Sequence, residues 1–206
     1  MSNEKTKVNM DPKYIIKLTV TLFVTCVIVA GLLGGVNAIT KDKIAAINWE
    51  KTVAAMKAVV ADPDATTFSD ALENTAEMEA ACLAGGATLQ NVYEVQVDGA
   101  AAGYAIKVSA SGSQGAIEMM VGVDGEGVVT GVSIVKHSET SGIGTKVTGN
   151  DPLPSGVGVL DQFIGMSGAG TLSVGSNVTA ISGATVSSKG ITTGVNAALA
   201  AAEALA

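Results

Sequence analysis

The longest apolar stretch of the chain covers residues 18–40 and contains no charged residue. About 20 apolar residues in a helix are enough to cross the hydrocarbon core of a bilayer, so this stretch predicts a membrane-spanning helix. A cleaved signal peptide is the competing interpretation, because Val36-Asn37-Ala38 supplies the small residues of a cleavage site. We interpret the stretch as a retained anchor, with residues typical of a membrane interface on both sides of it: Tyr14, Lys17, Lys41 and Lys43.

After the apolar stretch, the hydrophobic pattern becomes helical. Apolar residues recur at broadly helical spacing over residues 41–60, and Asp62-Pro63-Asp64 ends that helix. A second helix is predicted from about residue 69 to residue 83, where Gly85-Gly86 follows as a stop signal.

From residue 92 onward the pattern alternates with a period of two. Asp98-Gly99 and Asp124-Gly125 are hairpin turn signals, and a Gly/Ser-rich loop occupies residues 111–115. The pattern predicts an antiparallel meander of four strands, at residues 92–97, 104–108, 117–123 and 128–135.

The last third of the chain is less regular. Residues 151–170 contain a short predicted helix at about 160–164, and a short apolar strand is predicted around Val178. A tight turn at Gly183 then leads into an Ala-rich helix from about residue 187 to residue 205. Grouped strands with helices before and after them indicate an α+β fold.

Composition excludes several classes of function. The net charge is −7 without any arginine, and the acidic excess lies after residue 40, which argues against nucleic acid as a partner. Cys26 and Cys82 are far apart in the sequence, and we interpret both as small apolar residues that fill space between other side chains. A metal site needs clustered ligands, so none is predicted. His137 lacks an accompanying nucleophile motif, and no catalytic residue is predicted.

Four hydroxyl residues surround the start of the last predicted helix: Ser182, Thr185, Ser187 and Ser188. Unpaired N–H groups and the positive end of the helix dipole make such a start a favourable site for an anion. The alternative is that these hydroxyls only cap the helix, which is a common role for serine and threonine.

Ser182-Gly183-Ala184-Thr185 resembles the flavinylation motif of the FMN-binding domain family. This domain occurs in the G subunit of Rnf complexes and in the C subunit of the sodium-translocating NADH:quinone reductase. The resemblance implies that the oxygen of Thr185 is joined to the phosphate of a covalent FMN, after reaction with a flavin transferase that reads the motif. The family usually has Asp three residues before the serine, where this chain has Thr179.

A second stretch, Glu139-Thr140-Ser141-Gly142-Ile143-Gly144, is similar to the family's Glu-Thr-Pro-Gly-Leu-Gly loop, which borders the flavin. Together the two stretches imply a cofactor site at one place in the fold. The residues that the resemblance assigns to FMN are Thr185, Ser182, Gly183, Ala184, Ser187, Ser188, Glu139, Thr140, Gly142 and Gly144.

The resemblance implies four parts in the chain. Residues 1–13 form a cytoplasmic tail, 14–40 a single membrane helix, 41–89 a helical stalk and 90–206 an antiparallel-sheet FMN-binding domain outside the cytoplasm. This orientation in the cell membrane also follows from a short lysine-bearing tail before one span.

The function implied is that of an electron carrier within an Rnf-type complex. Such complexes pass electrons between ferredoxin and NAD and couple this to transport of Na⁺ or H⁺. The expected partners are the lipid bilayer, a flavin-bearing membrane subunit, iron–sulfur subunits and the flavin transferase. Iron–sulfur centres must belong to other subunits because this chain has no Cys cluster to hold them. The alternatives are the C subunit of the quinone reductase, and a flavin-free membrane-anchored assembly module.

Overall fold

The structure, a computed structural model, describes residues 11–205, and these divide into two compact units, 11–47 and 48–205. Most of the predicted tail 1–13 therefore lies outside the described residues. Helix α1 runs from Pro12 to Ala58, and the Asp11 carboxylate accepts the N–H of Lys13 at 3.0 Å. Pro12 therefore begins a helix, because proline is well tolerated in the first turn, where its missing N–H has no partner to lose.

The first unit is the apolar part of α1. An 18-residue window of this helix has a mean hydropathy of 2.4, and its large apolar side chains are exposed throughout residues 14–39. Among the described residues, α1 is the one helix that is long and apolar enough to cross a membrane. The prediction of such a helix near the N-terminus is confirmed.

The second unit is built on a five-stranded sheet in which every neighbouring pair is antiparallel and the spatial order follows the chain. The four predicted strands are confirmed as β2 to β5, and a short edge strand, β1, precedes them. The α+β class with an antiparallel sheet is therefore confirmed. The strands are β1 Thr66–Phe68, β2 Ala87–Val97, β3 Ala100–Ser111, β4 Ala116–Asp124 and β5 Val129–Lys136.

The last helix, α4 (Thr185–Glu203), packs across one face of the sheet and forms the main core. Its buried Ile191, Val195 and Leu199 join side chains from β2, β3 and β4. Helix α2 (Ala76–Ala84) packs beside α4 and contributes Cys82, whose pKa burial raises to about 11. The burial of α4 explains why its sequence is rich in small apolar residues: only short side chains allow it to lie close to the sheet.

The C-terminal end of α1 covers part of the opposite face of the sheet. Ala55, Met56 and Val59 are buried there in a second, smaller core together with Tyr93 and Met120. These contacts are all within the second unit, which begins at Asn48.

Two glycines let the end of α1 approach the sheet backbone. A Cβ atom at Gly131 would lie 2.8 Å from the Cα of Val59, and one at Gly122 would overlap the Val59 carbonyl oxygen. The Thr130 hydroxyl donates a hydrogen bond to the same carbonyl at 2.6 Å. The chain is therefore fixed to the sheet at Val59 by backbone contact as well as by side-chain burial.

The segment predicted as a helical stalk, 41–89, is not helical throughout. Residues 69–75 lie along β2, where Ser69 N–H donates to Glu94 O at 3.0 Å and Leu72 N–H donates to Val92 O at 2.8 Å. Helix α2 begins only after Thr75, whose hydroxyl accepts the N–H of Met78. The predicted start at residue 69 was wrong because bonds to a distant strand replace the first helical turn.

The predicted strand around Val178 was also wrong. This segment forms a single isolated bridge between Val174 and Val178, and the Asn177 side chain bonds to Ser173 N–H and Thr171 O. Val178 is apolar because it is buried in the main core.

The remaining helices differ from the predictions in detail. The short helix predicted near 160–164 is the 3-10 helix Asp161–Phe163, and α4 begins two residues before the predicted start. A further short helix, α3 (Gly144–Thr148), begins at the last residue of the Glu139–Gly144 stretch and was not predicted.

Candidate functional site

A cavity of about 310 Å³ lies where three segments of the second unit meet. Ser113 comes from the β3–β4 loop, four residues come from the loop after β5, and residues 183–187 come from the start of α4. The four loop residues are Glu139, Thr140, Ile143 and Gly144. The two motifs singled out in the sequence therefore border one cavity, although about 40 residues of chain separate them.

The start of α4 presents unpaired N–H groups at this cavity. A turn with Gly183 at a φ of 82° leads into the helix, and the first helical bond runs from Ser188 N–H to Ala184 O at 2.9 Å. The N–H groups of Thr185, Val186 and Ser187 have no acceptor among the described residues. No side chain caps the helix at Ala184, so the interpretation of the four hydroxyls as a simple cap is wrong. The unpaired N–H groups and the helix dipole favour an anion here.

The four hydroxyls near this helix start have different environments. Thr185 is exposed and borders the cavity, and its hydroxyl makes no hydrogen bond within the described part of the chain. Ser187 also borders the cavity but is buried and donates to Glu139 Oε2 at 2.6 Å. Ser188 is buried behind the cavity wall and donates to Ala184 O, and Ser182 is exposed but does not border the cavity. Of the four, only Thr185 is both exposed and at the cavity.

Glu139 is a buried carboxylate that accepts three hydrogen bonds. Its Oε1 accepts the N–H groups of Ser113 at 2.8 Å and Gln114 at 3.2 Å, and its Oε2 accepts the Ser187 hydroxyl. Burial by itself would raise the pKa of Glu139, but these hydrogen bonds and the nearby His137 outweigh it and lower that pKa below its ordinary value. The His137 ring also accepts the backbone N–H of Glu139, at 3.2 Å.

Glycines make room for the Glu139 side chain. A Cβ atom at Gly144 would lie 2.8 Å from Glu139 Oε2, and one at Gly112 would overlap Glu139 Oε1. Gly142 does not border the cavity; it has a φ of 85°, and its N–H donates to the Thr145 hydroxyl at 2.9 Å. Two predicted site residues, Gly142 and Gly144, thus have structural roles in shaping the loop around Glu139.

The lowered pKa of Glu139 predicts a pH-dependent contribution to stability. Glu139→Gln is expected to lower the free energy of unfolding by about 1 kcal/mol at pH 7, because charge-assisted hydrogen bonds become neutral ones. Since the folded-state pKa lies below the ordinary value of 4.5, the contribution is present above pH 4.5 and disappears as pH falls through the folded-state pKa. Urea unfolding of both proteins between pH 7 and pH 3 measures the difference, and a constant difference down to pH 3 would contradict the assignment.

The residues around the cavity fit a flavin nucleotide. The unpaired N–H groups of α4 suit its phosphate, and the exposed apolar side chains of Ile143 and Val186 suit its ring system. Ser113, Ile143 and Val186 were not predicted as site residues. Ile143 and Val186 lie inside the two motifs, and Ser113 lies in the Gly/Ser-rich loop already recognised in the sequence.

Comparison with known proteins agrees with this fit. The FMN-binding domain family matches residues 112–200, a range that contains every residue at the cavity. The chain is 32% identical over 199 residues to the G subunit of the Na(+)-translocating ferredoxin:NAD(+) oxidoreductase complex of Acetobacterium woodii, covering 93% of each protein. It is 29% identical over 192 residues to the G subunit of the ion-translocating oxidoreductase complex of Methanosarcina acetivorans, covering 92% of this chain and 95% of the relative.

The chain also matches the G subunit of the ion-translocating oxidoreductase complex of Haemophilus influenzae over a shorter range. This match is 38% identical over 60 residues and covers 29% of each protein. The fold and the cavity are those of an FMN-binding protein with an apolar N-terminal helix. The chain belongs to the family of G subunits of ion-translocating oxidoreductase complexes.

Proposed function

We propose that this chain carries one covalent FMN on Thr185 and relays electrons within a membrane-bound Rnf-type complex. The observation that carries the proposal is the position of Thr185, an exposed hydroxyl without a hydrogen-bond partner in the described chain, beside the unpaired N–H groups of α4. The flavin, when bound, supplies the redox chemistry, and the protein holds and orients it.

The proposed linkage is a phosphoester at Thr185 Oγ1. Thr185 loses its hydroxyl proton and forms the new oxygen–phosphorus bond. A flavin dinucleotide serves as the donor and loses its nucleoside monophosphate when its phosphoanhydride bond breaks. The product keeps a negative charge, which the unpaired N–H groups of Thr185, Val186 and Ser187 can stabilise. The remaining proposed contacts to the cofactor come from residues of the two motifs that border the cavity, at Gly183, Ala184, Ser187, Glu139, Thr140 and Gly144. The other three residues that the resemblance assigned, Ser182, Ser188 and Gly142, do not border the cavity, and we propose that they support its walls.

The proposed path of electrons lies between ferredoxin and NAD, with coupled transport of Na⁺ or H⁺. This follows the name of the Acetobacterium woodii relative, which belongs to a Na(+)-translocating ferredoxin:NAD(+) oxidoreductase complex. The proposed partners are a flavin-bearing membrane subunit, iron–sulfur subunits and a flavin transferase. The C subunit of a quinone reductase is less well supported, because the relatives described above are G subunits.

Flavin fluorescence in a denaturing gel tests the proposal against a flavin-free assembly module. The full-length protein, made together with its flavin transferase, is expected to give a fluorescent band at its own mobility, because a covalent phosphoester survives unfolding. Protein made without the transferase is the control and is expected to be dark. A dark band in both samples, with the transferase active on another substrate, would reject the covalent flavoprotein.

We further propose that residues 14–40 cross the cell membrane once and that residues 1–13 stay in the cytoplasm. Residues 41–206, which include the FMN-binding domain at 90–206, then lie outside the cytoplasm. The short lysine-bearing tail before one span supports this orientation. Protease added to right-side-out vesicles is expected to digest the domain. Digestion in inverted vesicles alone would reverse the orientation.

A further inference from the structure

Glu139 joins three segments around the cavity, and we propose that it is a positioning residue for flavin attachment. Its carboxylate would hold the first turn of α4 in place, so that Thr185 faces the donor while Ser187 is withheld from reaction. The inference rests on the proposed attachment at Thr185 and adds a residue that does not itself form the bond.

The geometry supports a positioning role because both carboxylate oxygens are engaged by different segments. Oε1 accepts two N–H groups of the β3–β4 loop, from Ser113 and Gln114, while Oε2 accepts Ser187 at 2.6 Å on α4. Since consecutive helical residues are about 100° apart around the axis, fixing Ser187 also fixes the direction of Thr185 two residues earlier.

Selectivity follows from the same contact. Ser187 borders the cavity and has a primary hydroxyl, which is less hindered than the secondary hydroxyl of Thr185. Its 1% exposure and its bond to Glu139 keep it from reaching a donor. Glu139 is also a poor base for activating Ser187, because its hydrogen bonds lower its pKa. The pair therefore holds the helix and leaves Thr185 as the accessible hydroxyl.

The test is the rate of covalent flavin incorporation into the full-length protein by the flavin transferase, with a flavin dinucleotide as donor. Glu139→Ala is expected to lower kcat at least roughly tenfold, because loss of orientation costs rate even when binding persists. Glu139→Gln is expected to stay within about threefold of the wild type, since its amide can accept both N–H groups and donate to Ser187. Glu126→Ala, an exposed carboxylate in the β4–β5 turn, is the matched control and should label at the wild-type rate.

Ser187→Ala separates positioning from a general loss of folding. It removes only the bond between Glu139 and α4 and is expected to lower kcat about as much as Glu139→Ala does, with an unchanged thermal midpoint to within a few degrees. Peptide mass mapping of Glu139→Ala should show some adduct at Ser187. Wild-type kcat in either Glu139→Ala or Ser187→Ala would overturn the inference. Failure of attachment at Thr185 itself would instead appear as an unlabelled wild type or a labelled Thr185→Ala protein.

Discussion

Gly122→Ala is expected to lower the free energy of unfolding by about 1–3 kcal/mol, the usual cost of forcing an extra carbon into a packed contact. The added Cβ atom would overlap both the Thr130 hydroxyl and the Val59 carbonyl oxygen, which are hydrogen-bonded to each other at 2.6 Å. Backbone atoms of Val59, the residue directly after α1, cannot turn away as a flexible side chain could. The substitution must therefore separate α1 from the sheet or bend β4.

The matched control is Gly125→Ala, three residues later in the β4–β5 turn. A Cβ atom there meets nothing within 4 Å and its backbone has no positive φ, so stability is expected to stay within about 0.5 kcal/mol. Urea unfolding in mild detergent measures both variants through Trp49, the only tryptophan, whose ring lies 6.5 Å from that of Tyr93 on the sheet. Equal midpoints for the two variants would show that α1 does not contact the sheet as described.

The sheet was largely predictable because its strands and turns are determined by patterns within short stretches of sequence. Alternation and the two Asp-Gly turns define β2 to β5, and antiparallel neighbours joined by short turns leave little choice of order. β1 was missed because three residues carry too little pattern. Thr66 to Phe68 form a strand only because they pair with the end of β2, from Val95 to Val97.

Segments held by hydrogen bonds to particular partners could not be predicted from a periodic pattern. Residues 69–75 have a composition compatible with a helix, yet Ser69 and Leu72 donate backbone hydrogen bonds to β2 instead of to a helical turn. Near Val178, the Asn177 side chain closes a local turn, and Gln162 bonds to both the N–H and the carbonyl of Thr179. The Asn177 and Gln162 side chains lie 4 to 17 residues away from the groups they bind. Such contacts leave no periodic pattern in the sequence from which they could be predicted.

The meeting of the two motifs was expected from a family resemblance, and the structure brings both to one cavity. The role of Glu139 within that cavity was not predictable. Its partner Ser187 is 48 residues away, and although the resemblance assigned both residues to the site, nothing in the sequence pairs them with each other. The same holds for Gly144, whose lack of a side chain matters only because the Glu139 carboxylate lies beside it.

Thr185→Ala is expected to abolish covalent FMN while leaving the protein folded. Alanine has no oxygen to form the phosphoester, so labelling should fall from nearly complete to undetectable. The fold should persist because the Thr185 side chain is exposed and makes no hydrogen bond within the described residues. Thr185→Ser keeps the oxygen and is expected to label at least in part. Ser182→Ala, which changes a nearby hydroxyl that does not border the cavity, tests whether the loss is specific to Thr185.

Intact-mass measurement, followed by peptide mapping, tests the central claim most directly. The wild-type protein made with its flavin transferase should exceed its sequence mass by one FMN less one water, with the added mass on the peptide that contains Thr185. The Thr185→Ala protein, made in the same way, should have only its sequence mass. The same added mass on the Thr185→Ala protein, or on a wild-type peptide without Thr185, would contradict the account.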